Sequence, residues 1–378
     1  MIGKLVGEYF KMKEGRKLDT EKNNLLTPNQ LTYLLLGFVV GTGFLKLPNQ
    51  LVKTAGQDSW MCVIFALIYP LYIVLVSCYI INKHPKENIL VINKKYFGNF
   101  FGNIMNFIFM LQFIITTVVI IAHTMIFSRV YIVSYLAPLK VALITVLLVT
   151  YASSKGIGVL GKINQLVFYL FILVFLLSLT ALKYGDILNL QPVFGAGMTN
   201  VLKTTPQTAY SYFGWECLLL LFPYAKDVKS IKKSALKAVA ICGIIYVWTV
   251  FITIYYLSID ITPKNYWSFV MVFQSINVPI INNFRYIFMF IWIVISFRIT
   301  ANYYFVVTIC INSFKKMDFK KIGLLIFPLI LYLAYKFSDR MLRQKIEGFA
   351  YPASIIFNVS FISVVALLTY FKGKEPRS

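Results

Sequence analysis

Four long stretches of this chain carry no charged residue: Ser59 to Asn82, Ile163 to Leu182, Ala238 to Ile259 and Gly348 to Phe371. Each reaches the roughly 20 residues that a helix needs to cross the hydrocarbon core. A chain that repeats such stretches has two solutions in lipid, bundled helices or a closed barrel, because backbone polar groups must be paired internally there. The alternating segments of about 10 residues that mark a barrel are absent. The chain therefore reads as an all-α polytopic membrane protein. Composition agrees, at 59% hydrophobic and 13% charged over 378 residues, about half the charged fraction of a soluble protein.

Ten spans are expected, over residues 29–52, 59–82, 101–128, 135–153, 162–183, 206–224, 237–258, 282–313, 321–337 and 349–371. Residues 1–28 precede them as an N-terminal tail without an apolar leader segment, and 372–378 follow as a short C-terminal tail. "LTPNQ" reads as a helix start, with Thr27 as cap and Pro28 in the first turn. The short apolar segment 265–278 is expected at the outer face as an interfacial helix. With the N-terminus inside, 24 Lys and Arg fall on the inner side and 11 on the outer, so both termini are expected in the cytoplasm. The net charge of +23 accordingly reads as topology setting and contact with anionic lipid, not nucleic-acid binding.

The first span is interrupted. In "LLLGFVVGTGFLKLPNQL", Gly41, Thr42 and Gly43 break an apolar run, Lys46 follows, and Pro48 is expected to help end the span. Span six, "PQTAYSYFGWECLLLLFPY", carries Gly214 and Glu216 in its middle. Each interrupted span opens a set of five. Interruptions at matching positions in two halves point to an inverted-repeat transporter with a midplane site, here with repeats of about 29–183 and 206–371.

At such a break, freed N–H groups can face a cavity and bind an anionic group such as a carboxylate, and glycine permits close approach. Close helix packing by small residues is the competing reading of Gly41-Thr42-Gly43. Glu216, the one carboxylate expected deep in a span, has a cost of at least roughly 2.5–3.5 kcal/mol there. It serves either a ligand site or proton handling, or else a buried bond to unwound backbone. Lys46 either snorkels outward or gates the site. Arg298, deep in span eight and always charged, must find acceptors, and a site-organising role fits better than exposure to lipid.

Conventional catalytic and metal chemistry is not visible. Cys62, Cys78, Cys217, Cys242 and Cys310 lie in apolar segments and read as small core residues. His84 reads as a solvated loop residue and His123 as a hydrogen-bonded interior one. No cofactor or metal is called for. A membrane-embedded enzyme such as an acyltransferase needs a polar catalytic group with a partner in reach, and His123 shows none in sequence.

"GTGFLKLP" resembles the broken first helix of the amino acid–polyamine–organocation transporter superfamily, and "AYSYFGWE" its broken sixth helix. More narrowly, "LTPNQLTYLLLGFVVGTGFLKLP", "AGQDSW" and "FGWECLLLLFPY" resemble the endospore germination permeases, the B subunits of germinant receptors, over about residues 25 to 371. The resemblance implies a five-plus-five inverted-repeat (LeuT-like) fold in the spore inner membrane. It implies recognition of a small germinant, usually an amino acid, and signalling to partner A and C subunits. By motif, Gly41, Thr42 and Gly43 fall where the superfamily binds a ligand carboxylate, and Phe213, Gly214 and Trp215 where it binds the amino group and caps the site. The stretch "INNFRYIF", with Asn282, Asn283 and Arg285, departs from the acidic residues often found there. Sodium-coupled members of the fold class hold a cation between helices one and eight. Arg298 would replace that cation by donating to carbonyls freed at the first break. An amino acid permease that moves its substrate is the alternative function.

Overall fold

The computed structural model describes residues 25–41, 43–132, 134–273 and 285–372, with the side chain of Arg285 outside the description. Fourteen helical elements carry the argument, and each of the ten expected spans falls on a helix or on a broken pair. The first pair is α1 (Pro28–Val39) and α2 (Gly43–Ala55), and the second span is α3 (Ser59–Ala66) with α4 (Ile68–Lys83). Next come α5 (Ile89–Phe127), α6 (Pro138–Ser154) and α7 (Ile157–Leu177). The second half begins with α8 (Met198–Ser211) and the apolar segment α9 (Trp215–Tyr224). It continues with α10 (Ile231–Ile261), the short α11 (Ser268–Val272), α12 (Arg285–Phe314), α13 (Phe319–Lys336) and α14 (Arg340–Lys372). Six continuous helical stretches among the described residues are long and apolar enough to cross a membrane.

Burial sorts these helices into an inner and an outer set. The apolar window of α12 is 78% buried within the protein, whereas those of α7 and α14 are 33% buried. Outer helices display large apolar side chains outward, among them Ile68, Leu166, Leu325 and Ile356. In a soluble protein a surface of that kind would aggregate, whereas in a bilayer it is the lipid contact. Of the broken helices, α1 packs against α7, α10 and α12, α2 against α8 and α10, α8 against α2 and α3, and the start of α9 against α1.

Local sequence explains the start of α1. The Thr27 hydroxyl accepts from the Gln30 N–H at 3.3 Å, and the Gln30 side chain accepts from the Thr27 N–H at 3.0 Å. This reciprocal cap, with Pro28 in the first turn, satisfies donors that a helix start otherwise leaves open. Leu26, expected in the tail, is buried. Its N–H donates to the Tyr224 carbonyl at 2.7 Å, and its own carbonyl accepts from the Lys226 N–H at 2.9 Å. The chain entering α1 is thus tied to the end of α9.

Three expectations are corrected. Pro48 does not end its helix; α2 runs on to Ala55. Lying just past the first turn, whose N–H groups have no intrahelical acceptor in any case, it costs one hydrogen bond. The span expected from 349 begins at Arg340, so Arg343 and Glu347 are helical and Arg343 is buried. By contrast, α5 is two helices meeting at a kink, because Gly98 takes the non-helical φ 74° and ψ 175°, so the span expected from 101 starts just past that kink. The segment from 265 packs inward: Trp267, Phe269, Val270, Val272 and Phe273 are buried, and 274–278 lie outside the described residues.

Candidate functional site

The two helix breaks meet. At the first, Val40 turns extended (φ −76°, ψ 93°), so the last carbonyls of α1 have no helical donor. At the second, Gly214 has φ +126°, which L side chains rarely adopt. A Cβ at that position would lie 2.6 Å from the Tyr303 hydroxyl and 3.2 Å from Phe38 Cβ. Glycine is required there both by conformation and by the close approach of the two breaks.

Three side chains cap the carbonyls that the breaks release. The Tyr303 hydroxyl lies 3.1 Å from the Phe38 carbonyl and 3.4 Å from that of Phe213. The Tyr246 hydroxyl lies 2.9 Å from the Val39 carbonyl and 3.0 Å from that of Ser211. Each hydroxyl has one proton, so it donates to one carbonyl of its pair at a time and links α1 to the second break. Arg298 Nη2 donates to the Val40 carbonyl at 2.6 Å, and Arg298 is 1% exposed. The guanidinium thus makes the donor contact its position in span eight suggested.

A cavity of about 920 Å³ stands on this junction. Its floor is Phe38, Val39, Phe213, Ile299 and Tyr303, and Gly43 and Ser211 flank it. Phe213 and Tyr303 stack with ring centroids 6.5 Å apart, and Tyr351 meets Phe213 edge-on at 6.0 Å. The cavity extends along α2 past Lys46 to a rim carrying Lys53, Lys264 and Arg340. Asn49 of α2 secures one wall. Its amide donates to the Thr262 carbonyl at 2.9 Å and to the Ser268 hydroxyl at 2.7 Å, and accepts from the Ser268 N–H at 3.1 Å.

Of the residues singled out in the sequence, Gly43, Phe213 and Lys46 line the cavity. Gly41, Gly214, Trp215, Glu216 and Arg298 do not; they lie behind the wall. A Cβ on Gly41 would meet Ile299 Cδ1 at 2.4 Å, so Gly41 makes room for a floor residue. Glu216 is fully buried and accepts from the Gly214 N–H at 3.1 Å, the geometry of a carboxylate bonded to unwound backbone. Thr42, Asn282 and Asn283 lie outside the described residues.

Halfway up the wall is a charge cluster. Glu347 Oε1 lies 2.9 Å from His123 Nε2 and 3.5 Å from Arg343 Nε, and Glu347 Oε2 lies 3.9 Å from Lys46 Nζ. Lys46 Nζ also lies 2.9 Å from His123 Nε2. Sequence reading placed Glu347 and Arg343 in a polar loop and left His123 without a partner. The available signal was the i, i+4 spacing of Arg343 and Glu347, which puts them on one helical face.

A further clasp ties the chain after α2 to the segment that precedes α8. Asp58, from the "AGQDSW" stretch, is buried and accepts from the N–H groups of Phe194 at 2.8 Å and Ala196 at 2.9 Å. Gln57 donates to the Pro192 carbonyl at 2.9 Å. The motif fixes the chain entering α8.

Two interrupted helices, joined at a cavity floor inside a ring of continuous helices, define the LeuT-like fold. The solved structure of MhsT in complex with L-phenylalanine matches with a TM-score of 0.71 over 90% of this chain and 91% of that one, at 13% identity. The substrate-bound outward-open state of a Na+-coupled sialic acid symporter matches with a TM-score of 0.64 over 91% of this chain and 79% of that one, at 11% identity. Sequence narrows the class. The family model described as spore germination protein, the spore permeases, matches residues 25–341, and the chain belongs to that family. Among its relatives, spore germination protein KB of Bacillus subtilis is 27% identical over 82% of this chain and 86% of its own length. Spore germination protein GerQB of Bacillus cereus is 25% identical over 71% of this chain and 74% of its own length. The chain is thus an integral membrane protein of the spore permease family with a transporter fold.

Proposed function

We propose that this chain is the B-type subunit of a germinant receptor. A small germinant, of the amino-acid class, enters the cavity and rests on the floor where the two broken helices meet. The observation that carries this reading is the double link through Tyr246 and Tyr303, because whatever displaces one break must displace the other. Such a pair of elements has the two discrete arrangements that a switch needs. In this reading Gly43 presents its N–H to a ligand carboxylate, Gly41 makes room for Ile299 in the floor, Phe213 packs beneath the ligand, and Gly214, Trp215 and Glu216 hold the second break in shape behind it. Lys46 acts at the outer gate and Arg298 organises charge beneath. The protein sits in the inner membrane of the spore with both termini cytoplasmic, and the signal passes to A and C subunits.

The test is binding and response measured together. Phe213→Ala and Gly43→Val should each lower the affinity of the purified protein for its amino acid at least tenfold and shift the germination dose–response by the same factor. Normal binding and response in both variants would remove the cavity from germinant recognition. The fold neighbours favour a second reading, a permease that moves its amino acid. Flux of labelled amino acid into proteoliposomes, above an Arg298→Ala control, would establish that reading instead.

A further inference from the structure

The proposed cavity has an unbalanced wall. Its described lining carries four cations, Lys46, Lys53, Lys264 and Arg340, against one carboxylate, Glu347. That carboxylate is already engaged by His123, Lys46 and Arg343. Lys53, Lys264 and Arg340 are exposed at the rim and form no ion pair among the described residues. Carbonyls at helix breaks are the other natural seat for an ammonium group. Here those of Phe38, Val39, Val40, Ser211 and Phe213 already face the hydroxyls of Tyr303 and Tyr246 or the Arg298 guanidinium. The site is therefore well supplied for oxyanions and poorly supplied for ligand cations.

One further detail frees a cation for a ligand. His123 Nε2 lies 2.9 Å from both Lys46 Nζ and Glu347 Oε1. A ring nitrogen holds either a proton or a lone pair, so it serves the ammonium or the carboxylate, one at a time. An oxyanion that takes Lys46 leaves Nε2–H to donate to Glu347, and no group is orphaned by the exchange. The ring of Tyr266 meets both Lys46 and Arg340, with its centroid 5.5 Å from Lys46 Nζ and 5.8 Å from Arg340 Cζ. It keeps the two cations on the same side of the cavity.

Resting on the cavity as the ligand site, we infer that this chain recognises a small organic anion, a molecule with more carboxylate than ammonium charge. Dicarboxylic amino acids and hydroxy acids share that chemistry. Purified full-length protein in nanodiscs would be titrated calorimetrically with L-glutamate, L-malate, L-leucine and L-lysine. The expected result is that one of the two anionic probes binds at least tenfold tighter than L-leucine and that L-lysine does not bind. Tighter L-malate than L-glutamate would mean that the ammonium is not read, and the reverse that it is tolerated. Lys46→Met should cut anion affinity at least tenfold while Lys46→Arg retains most of it. The exposed-rim pair Lys53→Gln/Lys264→Gln, which leaves the buried cluster intact, should weaken anion binding several-fold and flatten its salt dependence. L-leucine or L-lysine binding as tightly as both anions would overturn the inference and leave the cavity reading standing. Absence of binding by all four probes would overturn both.

Discussion

Arg298 offers the sharpest test of how the first break is held. Its contact with the Val40 carbonyl, at 2.6 Å in a 1% exposed position, is charge-assisted and worth about 1.5–3 kcal/mol. Arg298→Met removes the donor and leaves a buried carbonyl unpaired, at a cost of about 1–3 kcal/mol. The same change removes a buried guanidinium, whose desolvation opposes folding by several kcal/mol. These effects have opposite signs and similar size, so the melting temperature of the variant should move little. Ligand affinity is the better readout, because the loosened break is the one on which the cavity floor stands. A second consequence concerns Na+. At about 4 Å from the guanidinium a second unit charge is repelled by roughly 4 kcal/mol at an effective dielectric of 20, near a thousandfold in affinity. Wild-type ligand binding should therefore be equal in Na+ and choline at constant ionic strength. Arg298→Met should bind at least tenfold more weakly in choline and regain affinity in Na+, because the vacated carbonyl accepts the ion. Arg298→Lys should keep part of the function. A Na+ requirement in the wild-type protein, or unchanged affinity of Arg298→Met in choline, would refute the reasoning.

Three other substitutions probe the frame. Gly214→Ala places a Cβ 2.6 Å from the Tyr303 hydroxyl at φ +126° and should destabilise by about 2–4 kcal/mol from strain and lost bonding, read as a lower melting temperature in detergent. Glu216→Gln keeps an acceptor for the Gly214 N–H, so the protein should fold normally; a dose–response unchanged at equal protein level would make the carboxylate charge irrelevant, whereas a sharp fall would tie signalling to it. Asp58→Ala leaves the N–H groups of Phe194 and Ala196 without their acceptor and should cost about 2–4 kcal/mol, with protease sensitivity appearing in the chain near residue 194 before the rest.

Local signals in the sequence located the helices well. Charge-free runs set the spans, the Thr27-Pro28 cap set the first helix, and the glycines in spans one and six marked the breaks, because helix propensity and lipid burial both act over a few adjacent residues. Long-range pairings were not legible. Tyr246 and Tyr303 read as two of many aromatic residues until the fold brought them to carbonyls 207 and 265 positions away. The mutual amide pair of Asn164 and Asn302, at 2.8 and 3.0 Å, was silent for the same reason. The charge cluster was missed through a misplaced boundary: "DRMLRQKIEG" reads as a loop because three of its residues are basic, yet partners on α2 and α5 carry α14 through it. Charge density argues for exposure only when no opposite charge waits in the interior.

That cluster and the breaks form one mechanical unit. Lys46 lies one turn into α2, Asn49 pins the same helix to the segment from Thr262 to Ser268, and the start of α2 flanks the cavity floor. A ligand that draws Lys46 from His123 pulls on α2, which starts at Gly43, just past the break at Val40 and Gly41. There the hydroxyls of Tyr246 and Tyr303 choose between carbonyls of α1 and of the second break. Redirecting a donor between two acceptors of similar distance costs far less than losing a bond outright, because the number of bonded carbonyls is the same before and after. The fold therefore has a low-cost route from events at Lys46 to the packing of the broken helices. Tyr246→Phe and Tyr303→Phe, which keep the rings and delete those donors, are the variants in which ligand binding at Lys46 should survive while response is lost.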